Sequence, residues 1–424
     1  MPRPSRLLSC TAAALLATGL TGAGLVLTGF GPNPGEAASL TADAATSWPA
    51  HVFAPYVDTG LSNTTLTTVA ADYGTKYFEL AFADGSGCQW SLPNQSGWQS
   101  QISALQAEGG DVSISFGGYT VDTDGTDLGN QCSSASAMAT QVESAVTTMN
   151  VTHLDFDIES SEETNSTDFT RTAQALALVR SWASSNGTSL NISYTLPVLP
   201  TGFTSDGLNV LNAATSSGFK PDVVNIMTMD YGTSGTEMGT ASNQALNAAA
   251  GQLASVFGES TAAAYAMLGN TPMIGQNDSP GEIFSLADAA TVESHAAAEG
   301  IALLSFWSEG RDNGGCPGQT SASSTCSGVS QSSGAFTQAF QAFTSGTSGG
   351  GGSTTPPTSP PPTTPPPTTP PPASGSCDAA WSNSTAYTSG NAVSYSGHNW
   401  TANQWNYDEV PGGASGAWTD DGAC

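Results

Sequence analysis

Across residues 46–344, short apolar runs alternate with longer alanine-rich stretches. The apolar runs read as strands at Phe53 to Val57, Tyr77 to Ala81, Asp111 to Phe116, His153 to Ile158, Leu190 to Thr195, Val223 to Met229, Pro272 to Ile274 and Ile301 to Phe306. Between them, stretches such as Ser134 to Met149, Asp168 to Ser185, Asn243 to Phe257 and Thr291 to Glu299 have helix-like composition. Eight strand signals with intervening helices predict an α/β fold of the (β/α)8 barrel type. A doubly wound open sheet is the alternative, disfavoured because no glycine-rich phosphate fingerprint follows the first strand.

The fourth run departs from a plain buried strand. In His153-Leu154-Asp155-Phe156-Asp157-Ile158-Glu159 the acids occupy every second position. Side chains two apart share a face in an extended chain, so Asp155, Asp157 and Glu159 line one surface and Leu154, Phe156 and Ile158 the other. Three like charges ~7 Å apart repel one another and raise at least one pKa. A packed core has no use for that arrangement, whereas an acid catalyst needs it. A half-exposed edge strand with a polar face is the plainer alternative, and the apolar residues between the acids speak against it. In a barrel the chemistry sits at the carboxyl ends of the strands, which places Glu159 at the mouth.

Composition sets the surroundings. Residues 1–45 carry Arg3 and Arg6, a mostly apolar run from Leu7 to Phe30, then small residues, the pattern of a secretory signal peptide followed by a spacer. Beyond it lies no apolar run of the ~20 residues that span a bilayer, so a secreted, extracellular protein without membrane partners is expected. The formal net charge is -28, and past the signal only Lys76, Arg171, Arg180, Lys220 and Arg311 are basic. Such a surface repels nucleic acid and suits a neutral polymer such as a polysaccharide. Cys88, Cys132, Cys316, Cys326, Cys377 and Cys424 make an even count, read as disulfides in an exported chain. Of fifteen possible pairings, grouping by segment favours Cys88 with Cys132, Cys316 with Cys326 and Cys377 with Cys424. No CxxC unit or histidine cluster points to zinc, and neither metal nor cofactor is expected.

Residues 345–376 form a linker, first glycine and serine, then eleven prolines in the twenty residues Thr354 to Ala373. That composition favours an extended polyproline II spacer at ~3.1 Å per residue. It leaves a small module at 377–424, bracketed by Cys377 and Cys424 and holding four tryptophans. A core of that size buries few of them, so some should face solvent.

At these residues the chain resembles glycoside hydrolase family 18, whose signature D-x-x-D-x-D-x-E reads here from Thr152 to Glu159, with Thr152 in place of the first acid. The family's S-x-G-G appears as Ser115-Phe116-Gly117-Gly118, and its M-x-Y-D is approached by Met227-Thr228-Met229-Asp230-Tyr231, with Met229 where the tyrosine usually stands. If that strand stays extended, Tyr231 shares the face of Met229 and could supply the missing hydroxyl. Ser305-Phe306-Trp307 is similar to the family's tryptophan floor under the scissile sugar. The resemblance implies catalytic roles for Glu159, Asp157 and Asp155 and substrate contacts from Tyr231, Asp230, Trp307, Met229 and Ser115. Residues 377–424 are similar to chitin-binding modules of carbohydrate-binding family 5/12, all-β and disulfide-stapled. The family's paired tryptophans meet Gln404-Trp405 here, which makes Trp405, Trp418 and Tyr407 the candidate chitin-facing aromatics.

Together the resemblances imply a secreted, bacterial-type, monomeric chitinase acting on chitin and chitooligosaccharides. Glu159 would protonate the glycosidic oxygen while the substrate's own acetamido carbonyl attacks the anomeric carbon, with retention. Asp157 would orient the acetamido group, and Asp155 would share a proton or hydrogen bond with Asp157. The short segment Gln276 to Gly300 leaves no space for an inserted subdomain, so an open groove and internal cleavage are expected. An endo-β-N-acetylglucosaminidase acting on N-glycans shares the acid pattern, but the appended module argues against it. A non-catalytic lectin on the same fold usually lacks the acid that Glu159 supplies.

Overall fold

The apolar runs pair as eight parallel strands that curl until both ends of the sheet meet the first strand: β1 (Val52–Phe53, resuming as Tyr56–Asp58), β2 (Tyr77–Ala83), β3 (Asp111–Gly117), β4 (His153–Asp157), β5 (Asn191–Leu199), β6 (Val223–Met227), β7 (Leu268–Thr271) and β8 (Leu303–Leu304). This computed structural model describes residues 48–61, 64–344, 377–382, 386–387, 391–402, 406–407, 410–412 and 418–424. The expected signal peptide, the proline-rich linker and Trp405 lie outside the described residues. No described helix is long and apolar enough to cross a membrane.

Closure depends on a proline. Val52 and Phe53 pair with Leu303 and Leu304 of β8, whereas Tyr56 and Val57 pair with Glu79 and Leu80 of β2. The change of partner falls at Pro55, which has no N–H to give a ladder but whose carbonyl accepts from Glu79 N at 3.1 Å. The expected single strand Phe53 to Val57 is therefore two pieces. Likewise β7 is not Pro272 to Ile274 but the preceding four residues, in register with Val224–Met227 of β6. Pro272 again ends the ladder, and only Met273 opposite Trp307 continues the pairing toward the mouth.

Outward-facing Ile114, Leu154, Phe156 and Ile192 pack on Val142, Val146, Leu176 and Val179 of the surrounding helices, all within one buried cluster. Each such side chain contributes ~1.5–3 kcal/mol by leaving water. Ala135–Met149 starts where Ser134 caps the Ala137 N–H, and Ser166–Ser185 starts with Asn165 capping Thr167. Two helices begin five residues earlier than composition indicates, Met238–Phe257 and Leu286–Glu299. The second has a capping box from Ser285 and Asp288, which moves its start ahead of Thr291. The segment after β7 holds only a two-stranded hairpin, Gly275–Gln276 with Ile283–Phe284, before that helix.

Inside the barrel the side chains are polar. Tyr56, Ser115, Asp155, Ser193, Thr195, Asn225 and Thr271 are all buried there and joined by hydrogen bonds. The three expected disulfides are present, Cys88–Cys132, Cys316–Cys326 and Cys377–Cys424. In the C-terminal segment, Ala392–Tyr395, His398–Ala402 and Trp418–Ala423 form one antiparallel sheet, and Ala386–Tyr387 pairs with Asn406–Tyr407. Tyr387, Val393, Ala402 and Trp418 are its buried core. Trp418, expected to face chitin, instead sits edge-on to the Tyr387 ring at 5.2 Å. So small a core needs a large aromatic to close it, and that requirement takes Trp418 from the surface.

Candidate active site

β4 runs down the middle of the curled sheet, so its inward side chains meet groups from several neighbouring strands at once. Asp155 is deepest, 1% exposed, and its two oxygens accept four hydroxyl bonds. Tyr56 (2.9 Å) and Ser115 (2.7 Å) donate to Oδ2, while Ser193 (2.6 Å) and Thr195 (2.8 Å) donate to Oδ1. Burial pushes its pKa up, and these four donors pull it back toward the ionised form. Asp155 is saturated by hydroxyls, so it acts on Asp157 as a nearby negative charge. Ser115, expected to touch substrate, is fully buried and spends its hydroxyl on Asp155.

Asp157, one step up the same face, is 3% exposed, and its Oδ1 has no hydrogen-bond partner among the described residues. Burial, then the charges of Glu159, Asp155, Asp122 and Glu162, push its pKa well above the carboxylate range. Its environment therefore favours the uncharged form. Glu159 lies two residues past the end of β4 with extended backbone (φ -128°) and precedes the short helix Ser160–Thr164. Its backbone N–H donates to Asp122 Oδ2 at 2.7 Å. Burial raises its pKa to about 7, a backbone hydrogen bond from Tyr119 opposes the rise, and Glu163 and Asp230 add to it. A carboxyl poised near 7 can give a proton in the transition state and take one back.

The glycines after β3 are required by contact. Gly117 (φ +94°) brings its backbone so close that a Cβ would stand 2.2 Å from the Asp157 carbonyl oxygen, and a Cβ on Gly118 (φ +85°) would stand 2.6 Å from the Phe82 ring. Phe82 in turn stacks on Trp307 at 5.5 Å and 16°, with Tyr56 centred 6.1 Å from the Trp307 indole. The partly exposed indole thus lies beside the acids as an apolar floor.

The end of β6 departs from expectation. The strand stops at Met227, and Asp230 takes a left-handed φ of +52°. The alternation that would set Tyr231 on the face of Met229 is lost there. Tyr231 packs against the core with its hydroxyl unpartnered among the described residues, its backbone N–H held by Glu282 at 2.9 Å, and Glu282 is the charge that acts on it after burial. Met229 is half-buried and Asp230 exposed. Asp230 acts on Glu159 through its charge and accepts from Ser279 N at 2.7 Å, which fixes the loop after β7 to the loop after β6.

Residues not singled out in the sequence complete the site: Tyr56, Phe82, Asp122, Ser193, Thr195 and Asn225. Ser193 and Thr195 had a legible signal, since they alternate with Ile192, Tyr194 and Leu196 on β5. Asn225 donates to Thr195 Oγ1 at 3.0 Å and accepts from Thr271 at 2.9 Å, extending the network to β6 and β7.

Raised carboxyl pKa values fix the sign of the pH dependence of stability. Folding takes up protons on acids that would be ionised in the unfolded chain, so their contribution is fully present below the unfolded value and is lost as pH rises through the folded one. Asp111 is raised to about 6 and Glu159 to about 7, both chiefly by burial, and Asp157 is pushed well above the carboxylate range. The melting temperature is therefore expected to be highest in mildly acidic buffer and to fall steadily through neutrality. A melting temperature that climbs from acid to neutral pH would contradict these protonation states.

Residues 50–299 match the family model described as glycosyl hydrolases family 18. A probable bifunctional chitinase/lysozyme of Escherichia coli (strain K12) is 33% identical over 320 residues, covering 70% of this chain and 35% of that protein. Endochitinase 11 of Metarhizium anisopliae is 33% identical over 282 residues, covering 63% of this chain and 53% of its own. The chain thus spans about half or less of the curated relatives it matches. Among solved structures, the catalytic domain of a hyperthermophilic chitinase from Pyrococcus furiosus superposes with a TM-score of 0.65 at 31% identity, covering 71% of this chain and 97% of that one.

Proposed function

Because the chain belongs to glycosyl hydrolase family 18, we propose that it is a chitinase that cleaves β-1,4-linked N-acetylglucosamine polymers with the substrate's own acetamido group as nucleophile. The observation that carries this reading is the unequal setting of the three acids on and just past β4: Asp155 saturated by hydroxyls, Asp157 buried with its Oδ1 unpartnered among the described residues and its pKa pushed well up, Glu159 poised to about 7 at the mouth. A carboxyl held neutral below the reacting carbon cannot be a displaced nucleophile's substitute in a two-carboxylate mechanism. Its carboxyl oxygen can accept and orient an acetamido N–H, and the charge of Asp155 just below it favours the positive oxazolinium ion. Glu159 gives its proton to the leaving oxygen and then activates water from the same side, so the anomeric configuration is retained. Trp307 offers the flat apolar face on which a pyranose ring stacks. Met229 and Asp230 are assigned to the rim of the same groove, and Tyr231 to the packing behind it. Hydrolysis of colloidal chitin beside a high-mannose glycopeptide tests the substrate class: release of soluble oligomers from chitin alone is expected, and cleavage of the glycopeptide alone would overturn it.

The protein is proposed to be secreted and monomeric, of bacterial type, with residues 377–424 acting as a chitin-binding module. Trp405 and Tyr407 are its remaining candidate contacts, and nothing is described of their side chains. Cutting the chain near Thr355 is expected to leave a folded, active barrel that loses rate on insoluble chitin and keeps its rate on soluble oligomers, because tethering raises local concentration only at a solid surface. Equal losses on both substrates would contradict separate modules. The hairpin after β7 is too small to wall the groove, which supports internal, non-processive cleavage. Viscosity of a soluble chitin derivative should fall early, before many reducing ends accumulate; a slow fall with dimer as nearly the sole early product would require an enclosed chain.

A further inference from the structure

The turn after β3 and the helix after β4 bring three acids together behind Glu159. Asp122, Asp127 and Glu162 each offer a carboxylate oxygen, and these oxygens lie within 4.8 Å of one another with all three residues buried. Protein donors reach each carboxylate from outside the cluster: Glu159 N to Asp122 Oδ2 at 2.7 Å, Asn130 N to Asp127 Oδ1 at 2.6 Å, and Thr172 Oγ1 to Glu162 Oε1 at 2.8 Å. Asp122 Oδ1 is different. The residue is 0% exposed and that oxygen has no partner among the described residues. A buried carboxylate oxygen left bare is costly, so the place asks for a proton or a cation.

The nearest basic side chain is used elsewhere. Arg171 donates to the Gly129 carbonyl and lies 3.3 Å from Asp168 Oδ1. Its charge acts on Asp127 but is outweighed by burial and by Asp168. The backbone packs closely at this point: a Cβ on Gly129 would stand 2.7 Å from Thr172 Oγ1, 2.9 Å from Glu162 Oε1 and 3.0 Å from Asp127 Oδ1. Any side chain there would occupy the ground between the acids.

We propose that Asp122, Asp127 and Glu162 form a binding site for a single calcium ion. The donors are oxygens alone, the set chosen by a hard divalent cation and not by zinc or copper. Ligands 2.3–2.6 Å from one calcium ion stand no more than about 5 Å apart, which the cluster satisfies. Magnesium gives up its water reluctantly and suits a buried three-carboxylate site less well. Water completes the six to eight oxygens that calcium takes. Since Asp122 holds the Glu159 N–H and Glu162 lies one turn beyond Glu159, the ion would tie the turn after β3 to the catalytic loop.

The test uses the full chain, stripped with chelator and titrated calorimetrically with calcium chloride, then with magnesium chloride. One saturable calcium site is expected, with Kd of about 1 mM or tighter. The melting temperature should rise by roughly 5 °C at a hundredfold excess over Kd. Glu162→Gln and Asp127→Asn should each weaken binding at least tenfold, whereas Asp72→Asn, on the exposed surface, should not. No saturable binding up to ~10 mM with equal melting temperatures in calcium and chelator would overturn the site. Parent-like binding by either variant, when its melting temperature in chelator equals the parent's, would also overturn it. Tighter binding of magnesium than of calcium would overturn the choice of ion.

Discussion

Glu159→Gln is expected to lower turnover on chitin by at least ~100-fold, about 2.7 kcal/mol of transition-state stabilisation, while chitin binding and the melting temperature at acid pH stay near those of the parent. The side chain is at the mouth, poised to about 7, and its backbone contact with Asp122 does not depend on the carboxyl group. Glutamine keeps the shape and can neither give nor take the proton. Near-parent hydrolysis by a folded Glu159→Gln protein would remove Glu159 from the reaction.

Asp157→Asn is expected to lose at least ~100-fold in turnover as well, but with a different signature in stability. Asparagine resembles the protonated acid that the fold already holds, so the substitution removes a group whose burial opposes ionisation. At neutral pH the variant should melt no lower than the parent, and the fall in melting temperature with rising pH should be shallower. Asp155→Asn contrasts with it, because four hydroxyl donors would lose an ionised acceptor and part of the network would be left unmatched. A neutral-pH loss of stability in Asp157→Asn as large as that in Asp155→Asn would mean that both acids are ionised in the fold.

The barrel was legible because its signal is periodic. Apolar runs and alanine-rich helices alternate, and the acids of β4 stand out against apolar neighbours of the opposite parity. The disulfides followed from grouping by segment. What escaped was set by backbone chemistry at single residues. Pro55 and Pro272 read as ordinary members of apolar runs, yet their missing N–H divides β1 and moves β7 back by a few residues. The left-handed turn at Asp230 cancels a face that an extended strand would give Tyr231. The hydroxyl network around Asp155 draws on β1, β3 and β5, and Asp122 comes from a turn after β3; no local pattern announces that such residues converge. Trp418 was drawn inward by the needs of a core too small to be estimated from composition.

The central claim is that the acetamido group of the substrate does the work of a protein nucleophile. Proton NMR of partially acetylated chitosan during early hydrolysis tests it directly, because each new reducing end reports both the sugar and its anomeric configuration. The account predicts that the new ends are N-acetylglucosamine and first appear as the β anomer. New ends that are glucosamine, or that first appear as the α anomer, would contradict it.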